Sequence, residues 1–203
     1  MINNYCIETG YVSLNKYGEI LCGDHVETAS DDKDSAIVVM ADGLGSGVKA
    51  CILSTLTSKI LSTMMANSMP MKDCISTMVA TLPICKVRQL AYSTFTIIRI
   101  SNHREAEIMQ YDNPDVIMLR DGKRYEYPII TEMIDGKKIL KSKISLCEDD
   151  VFIAMSDGVL HAGVGGVFDF GWDQSDVSDF LERFYDAKLN AKTISSMLID
   201  LCR

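Results

Sequence analysis

Two stretches of this chain share one design, a run of apolar, mostly small or β-branched residues that stops at Asp-Gly. They are Ala36-Ile-Val-Val-Met-Ala-Asp42-Gly43 and Val151-Phe-Ile-Ala-Met-Ser-Asp157-Gly158. A continuous apolar run of this length offers no polar face to water, so it predicts a strand buried on both sides. Both are expected to be central strands, each delivering a carboxylate at its end. A chain with two such strands must build sheets whose faces are covered, and the remaining sequence must supply the cover.

It does so with a change of period. Leu44-Gly45-Ser46-Gly47 leads into 48–67, where Ala50, Leu53, Leu56, Ile60, Leu61 and Met64 recur at three- and four-residue intervals, the spacing of a helix. A second helix is expected over 71–81, after Pro70 and before Pro83. Short β-rich runs at 92–100, 106–111, 116–120 and 125–130 then predict an antiparallel meander, punctuated by Ser101-Asn102, Asp112-Asn113-Pro114 and Asp121-Gly122. Asp121-Gly122 and Asp135-Gly136 read as hairpin turns. Helices are expected at 175–186, with Val177, Phe180, Leu181 and Phe184 on one face, and at 190–201, with Ile194, Met197, Leu198 and Leu201 aligned. Strands grouped with strands and helices with helices give an α+β fold.

Composition excludes several functions. The 203 residues contain no dividing linker and are expected to form one domain, 1–203. A net charge of −8 argues against nucleic acid as a partner, because binding through bulk charge needs a basic surface. No stretch approaches the roughly 18 apolar residues of a membrane helix, and the first fifteen residues lack the regions of a signal peptide. The expected location is therefore the cytoplasm, with no membrane partner. The seven cysteines are scattered and nowhere form CxxC, so they are expected to be reduced and mostly buried. His25, His103 and His161 are too dispersed for a three-histidine zinc site, which leaves oxygen as the donor for any metal. Aspartate supplies 19 of the 28 acidic residues, and it is the residue of turns, caps and hard-cation sites.

Asp42-Gly43-Leu44-Gly45-Ser46-Gly47 admits three readings. A phosphate-cradling loop would end in Gly-Lys-Ser/Thr, but here Gly47 is followed by Val48-Lys49-Ala50. A dinucleotide fingerprint needs an acid about 20 residues on, and none occurs between Asp42 and Asp73. The third reading is a metal site, with a carboxylate held by a rigid strand and a glycine carbonyl left bare for a cation. Asp157 would join Asp42 if the two strands were sheet neighbours, and two carboxylates that close repel unless a cation lies between them. Gly23-Asp24-His25, one hairpin's length before the first strand, supplies a third candidate.

Taken in order, these motifs resemble those of the metal-dependent protein phosphatases, in the bacterial branch typified by the stage II sporulation protein E phosphatase domain. Ala41-Asp42-Gly43-Leu44-Gly45-Ser46-Gly47 before a long helix is similar to the family's second metal motif. Ser156-Asp157-Gly158-Val159 is similar to its later Ser-Asp-Gly motif, and Gly23-Asp24 to its early Gly-Asp. Residues 112–122 resemble its central hairpin, and 146–150 the turn before the Ser-Asp-Gly strand. The resemblance implies a four-layer α/β/β/α sandwich of two antiparallel sheets flanked by helices. It also implies a site for two Mn²⁺ or Mg²⁺ ions and a phosphoserine or phosphothreonine protein as substrate, with a regulator of an alternative sigma factor as one candidate. Carried over, Asp42 would bridge the metals, Gly43 would offer its carbonyl, Asp157 would bind the second ion and Asp24 would support the site. Asp42 and Asp157 would act in catalysis through a water activated between the ions and in line with phosphorus. Leu44 stands where some members carry a histidine, so a water would have to protonate the leaving group. The family's closing Asp-Asp-x-Thr strand would begin where Leu201-Cys202-Arg203 ends, so the domain is expected to lack that strand and its ligand. The alternative from a different class is a non-catalytic protein-binding module on the same fold.

Three lesser features complete the reading. Met64, Met65, Met69, Met71 and Met78 are expected in the core, the other option being an interface for a partner or a homodimer. The glycine-rich stretch 161–172, with Phe168, Phe170 and Trp172, reads either as a flap over the site or as a loop pinned by its aromatics. Asp31-Asp32-Lys33-Asp34 reads as a solvated turn.

Overall fold

The strand and helix groups become two compact units in a computed structural model that describes residues 5–33, 35–81, 93–102, 104–162 and 171–202. One unit comprises 1–5, 15–113 and 127–146, and the other 6–14, 114–126 and 147–203. The fold class is α+β, two antiparallel sheets flanked by helices. Asp34, Cys85, His103 and the flap residues 163–170 lie outside the described residues.

The first unit holds a six-stranded sheet in the order β1-β2-β3-β4-β8-β7, from β1 (Asp24–Ser30), β2 (Ala36–Gly43), β3 (Ser93–Ser101), β4 (Glu105–Tyr111), β7 (Ile130–Ile134) and β8 (Lys137–Ser145). β2 is interior, as its apolar run requires. Ile37, Val39 and Ala41 join Phe95 and Ile97 of β3 in a core shared with Leu61, Met65, Met71, Cys74, Ile75 and Met78. Those last residues belong to helices α1 (Gly47–Ala66) and α2 (Met71–Thr81). Fully burying an aliphatic side chain of this size contributes about 1.5–3 kcal/mol, so this cluster is the main hold between helices and sheet. The methionines are core residues as expected, except that Met69 is 38% exposed.

α1 buries only part of the face its apolar spacing predicts: Ala50 and Leu61 are buried and Met64 packs against the core, but Leu56 and Ile60 are exposed. Its buried residues are Gly47, Ala50, Ser54, Thr57, Ser58, Leu61, Ser62 and Met65, while Val48, Ile52, Leu56 and Ile60 are exposed. Close approach explains the choice. A Cβ on Gly43 would lie 2.0 Å from the Ala50 carbonyl oxygen, so strand and helix touch backbone to backbone, which only small residues permit. The buried serine hydroxyls donate within the helix: Ser54 to the Cys51 carbonyl at 3.1 Å, Ser58 to that of Ser54 at 2.9 Å and Ser62 to that of Lys59 at 3.1 Å.

Two further expectations are corrected, and one strand was not foreseen. Asp31 is buried rather than solvated: Oδ1 accepts from the Lys33 and Ser35 amides at 2.9 Å, and Oδ2 pairs with Arg99 Nη2 at 2.6 Å. The run at 125–130 is not a strand, because Pro128 removes a ladder donor and β7 begins only at Ile130. β8 had no sequence signal, since lysines at 137, 138, 141 and 143 mask its alternation. It nevertheless pairs with both β4 and β7. The Asp135-Gly136 turn joins β7 to β8 with φ of 47° and 78°, the paired positive values of a two-residue hairpin.

The second unit carries a three-stranded sheet, β6 (Lys123–Arg124), β5 (Ile117–Arg120) and β9 (Val151–Ile153), with β5 in the middle. β9, expected to be central, lies at the edge of this sheet among the described residues, and all three of its residues are half-buried. Asp121-Gly122 makes the β5–β6 turn, with φ of 51° and 71°. Helices α3 (Asp157–Leu160), α4 (Gln174–Phe184) and α5 (Ala191–Asp200) follow. α4 starts in a capping box: the Asp173 carboxylate accepts from the helix amides and Asp176 reaches back to the Asp173 amide at 3.0 Å. Asn190 caps α5 by accepting from the Thr193 amide at 2.8 Å. Val177, Leu181, Ile194 and Leu198 from these helices pack with Ile117 and Leu119.

The cysteines are free but not mostly buried. Of the six described, Cys74 is buried, Cys22, Cys51 and Cys202 are half-buried, and Cys6 and Cys147 are exposed. No helix among the described residues is long and apolar enough to cross a membrane.

Candidate metal centre

The end of β2 brings two of the expected carboxylates together. In the antiparallel β1–β2 pair Asp24 lies directly opposite Asp42. The Gly43 amide donates to the Gly23 carbonyl at 3.1 Å, which makes those glycines a hydrogen-bonded pair. Pair types alternate along such a ladder, so Asp24 and Asp42 form a non-hydrogen-bonded pair. There the Cα atoms approach to about 4.5 Å and both side chains leave the same face. Both residues are half-buried.

The surroundings fix this geometry from several sides. Gly43, the last residue of β2, is held against Ala50 by the close approach described above. The Ser93 hydroxyl donates to the Asp42 carbonyl at 2.9 Å, and the Asp24 amide donates to Cys22 Sγ at 3.4 Å. The Ser46 hydroxyl donates to Glu19 Oε1 at 2.7 Å, which sets a carboxylate at the start of α1, a helix with no acid in its own first turn. His25 does not face a metal ligand set; its Nδ1 is 2.8 Å from the Ser58 hydroxyl.

Asp157 is placed differently. It is the first residue of α3, four residues after the end of β9, and is exposed, as is Gly158. β9 and β2 belong to different sheets, so Asp42 and Asp157 do not come from strand neighbours in one sheet, as expected. In the same unit, Arg120 and Asp150 fix the turn that leads into β9. Nε and Nη2 of Arg120 donate to the two Asp150 oxygens at 2.8 and 2.7 Å, and Asp150 also accepts from the Cys147 amide at 2.7 Å. This bidentate pair ties the turn before β9 to β5, with the guanidinium 4.2 Å from the Tyr125 ring centroid. Asp150 holds the Arg120 guanidinium firmly in its charged form.

The donor chemistry fits a hard divalent cation. Like charges directly opposite across a strand pair destabilise it by up to about 1 kcal/mol, and a cation between them reverses the sign. Among the described residues no group of three or more His, Cys, Asp and Glu side chains comes together, so Asp24 and Asp42 stand as a pair of carboxylates and not as a full ligand cage. Two neighbours of Asp42 had no sequence signal: Thr94, opposite it in β3, and Asn113, which accepts from the Thr94 hydroxyl. Their proximity to Asp42 depends on strand register, which no local pattern encodes.

The stage II sporulation protein E family profile matches residues 32–200. Among solved structures, the PP2C phosphatase domain with a fragment of the regulatory domain of SpoIIE from Bacillus subtilis aligns with 96% of this chain and 57% of that one. The identity is 18% and the TM-score 0.76. The RsbU and RsbW domains of Rv1364c from Mycobacterium tuberculosis align over 97% of this chain and 58% of that one, at 11% identity and a TM-score of 0.72. RsbX in complex with magnesium aligns over 93% and 84%, at 22% identity and a TM-score of 0.64. No curated protein is similar at a significant level.

Proposed function

The chain belongs to the stage II sporulation protein E family, and from that premise we propose that it is a metal-dependent phosphatase acting on phosphoserine or phosphothreonine in a protein. The observation that carries the proposal is the in-register pair of Asp24 and Asp42 at the glycine-bounded end of β2. Asp42 and Asp157 would hold two ions, with the Gly43 carbonyl as a further ligand and Asp24 in support. Magnesium in the RsbX structure supports Mn²⁺ or Mg²⁺ as the metal. When bound, such ions lower the pKa of a water and offset charge on a phosphoryl group. The protein's own part is to fix the carboxylates. β1 and β2 hold Asp24 and Asp42 through the ladder, and Gly43 lets α1 brace the strand end.

The RsbU and RsbW domains in one similar structure support a small regulator of a sigma factor as the phosphoprotein. The proposal extends to a cytoplasmic setting and a homodimer, the latter checked by sedimentation. The functional test is phosphate release from a phosphoserine protein by the full chain, with Mn²⁺ or Mg²⁺ and after chelation. Release that requires the metal, and falls at least 100-fold in Asp157→Asn, is the expected result. Metal-independent release would overturn the mechanism, and no release from any phosphoprotein would leave a binding module on this fold.

A further inference from the structure

Residues 19–23 run beside 43–46, the stretch that leads from Asp42 into α1, and are tied to it at both ends. The Gly43 amide donates to the Gly23 carbonyl at 3.1 Å, and the Ser46 hydroxyl donates to Glu19 Oε1 at 2.7 Å. The other Glu19 oxygen lies so near Gly47 that a Cβ there would meet it at 2.6 Å. Just ahead of this latch the chain reverses over 16–19. The Glu19 amide donates to the Lys16 carbonyl at 2.9 Å, and Gly18, third of the four residues, has φ of 83°, as a type II turn requires. Asn15 Nδ2 braces the turn from the other side by donating to the Ile20 carbonyl at 2.8 Å.

The braced turn holds apolar side chains in water: Tyr17 is fully exposed, Ile20 is 89% exposed and Leu21 is exposed as well. A single exposed apolar residue is ordinary, but three within five residues, on a backbone already fixed, make a contact surface with little left to order on binding. Tyrosine adds a large rigid area with few torsions to immobilise. Two residues span at most about 7 Å, so Tyr17 stands close to Ser46 and the stretch that begins at Asp42. Lys16, exposed on the same turn, favours an anionic partner, whereas two copies of a chain with net charge −8 repel. We infer that Tyr17 and Ile20 dock large apolar residues flanking the phosphoserine of the protein substrate, and that Glu19 is the positioning residue that clamps this turn to Ser46. The inference rests on the phosphatase reading above and adds to it a surface that selects among phosphoproteins.

Initial rates of phosphate release by the full chain at saturating Mn²⁺ test it with two phosphoserine peptides of equal length and charge, one with leucines beside the phosphoserine and one with glycines. The parent chain is expected to prefer the leucine peptide. Tyr17→Ser and Ile20→Ser are each expected to raise KM for that peptide about 10-fold, with kcat, the glycine peptide and the unfolding midpoint unchanged. Glu19→Ala is expected to act in the same way and Glu19→Gln, which still accepts from Ser46, to behave like the parent. A purely structural role would move both peptides together. Equal KM values for the leucine peptide in parent and Tyr17→Ser overturn the inference, as does a Tyr17→Ser chain that differs from the parent only in dissociating a dimer on sedimentation. If neither peptide is hydrolysed, the phosphatase reading fails, and fluorescence anisotropy of the labelled leucine peptide decides docking alone. Binding about 10-fold weaker in Tyr17→Ser upholds it, and equal binding overturns it.

Discussion

Asp31 shows how far a single residue departs from its local sequence. Read alone, Asp31-Asp32-Lys33 is a polar turn, yet the Asp31 side chain is 0% exposed and paired with Arg99, which is distant in sequence and 18% exposed. Burial works to raise its pKa, but hydrogen bonds from Ser35, Lys33 and Arg99 prevail and hold it below the ordinary 3.8. Because the folded value is depressed, its stabilisation is complete above about pH 4 and disappears as pH falls through the lowered value. Asp31→Ala leaves the guanidinium unpaired and is expected to cost about 3 kcal/mol at pH 7. Urea unfolding at pH 7 and at pH 2.5 checks this, with the gap between parent and variant narrowing at the lower pH. The cysteines give a second check at this scale. Burial raises the Cys74 thiol to about 11, so under native conditions iodoacetamide should label Cys6 and Cys147 and spare Cys74. Asp24 and Asp42 were legible in the sequence because each is tied to a glycine and a strand end. Thr94 and Asn113 were not, because what makes them neighbours of Asp42 is pairing between strands far apart in the chain.

At the scale of elements, most patterns that depend on one segment held, the run at 125–130 with its Pro128 excepted, and those that depend on what packs against the segment did not. β2 reads as a buried strand since every residue before Asp42 is apolar, and both Asp-Gly hairpins read from their dipeptides. α1 was found, but its buried face was only partly assigned, with Leu56 and Ile60 exposed, since apolar spacing assumes that the largest side chains go inward. Here the contact with Gly43 admits only small ones. Gly43→Ala is the direct test: the added methyl meets Ala50 backbone, so α1 must shift. The expected cost is about 1–3 kcal/mol, together with weakened Mn²⁺ binding, read by urea unfolding and calorimetry. Unchanged stability would mean that helix and strand are not in backbone contact. β8 was hidden by lysines that belong to the surface: Lys141 pairs with Glu132, and Lys143 with Glu105, at 2.7 Å each.

Over the whole molecule, the α+β class follows from the grouping of strands and helices, while the two antiparallel sheets were implied by the family resemblance that Gly23-Asp24 and the two later Asp-Gly motifs carry in order. What the sequence could not supply is which sheet each motif strand joins. The two runs look alike, yet β2 is interior to six strands and β9 stands at the edge of three among the described residues. The distinction matters for function, because the carboxylate pair comes from β1 and β2, whereas Asp157 begins a short helix in the other unit. The central claim is that Asp42 holds the metal on which phosphoprotein hydrolysis depends. The most direct measurement is the initial rate of phosphate release from a phosphoserine protein at saturating Mn²⁺, for the full chain and for Asp42→Asn. A loss of at least 100-fold, with the fold intact by circular dichroism, is the predicted result; an unchanged rate would contradict the account.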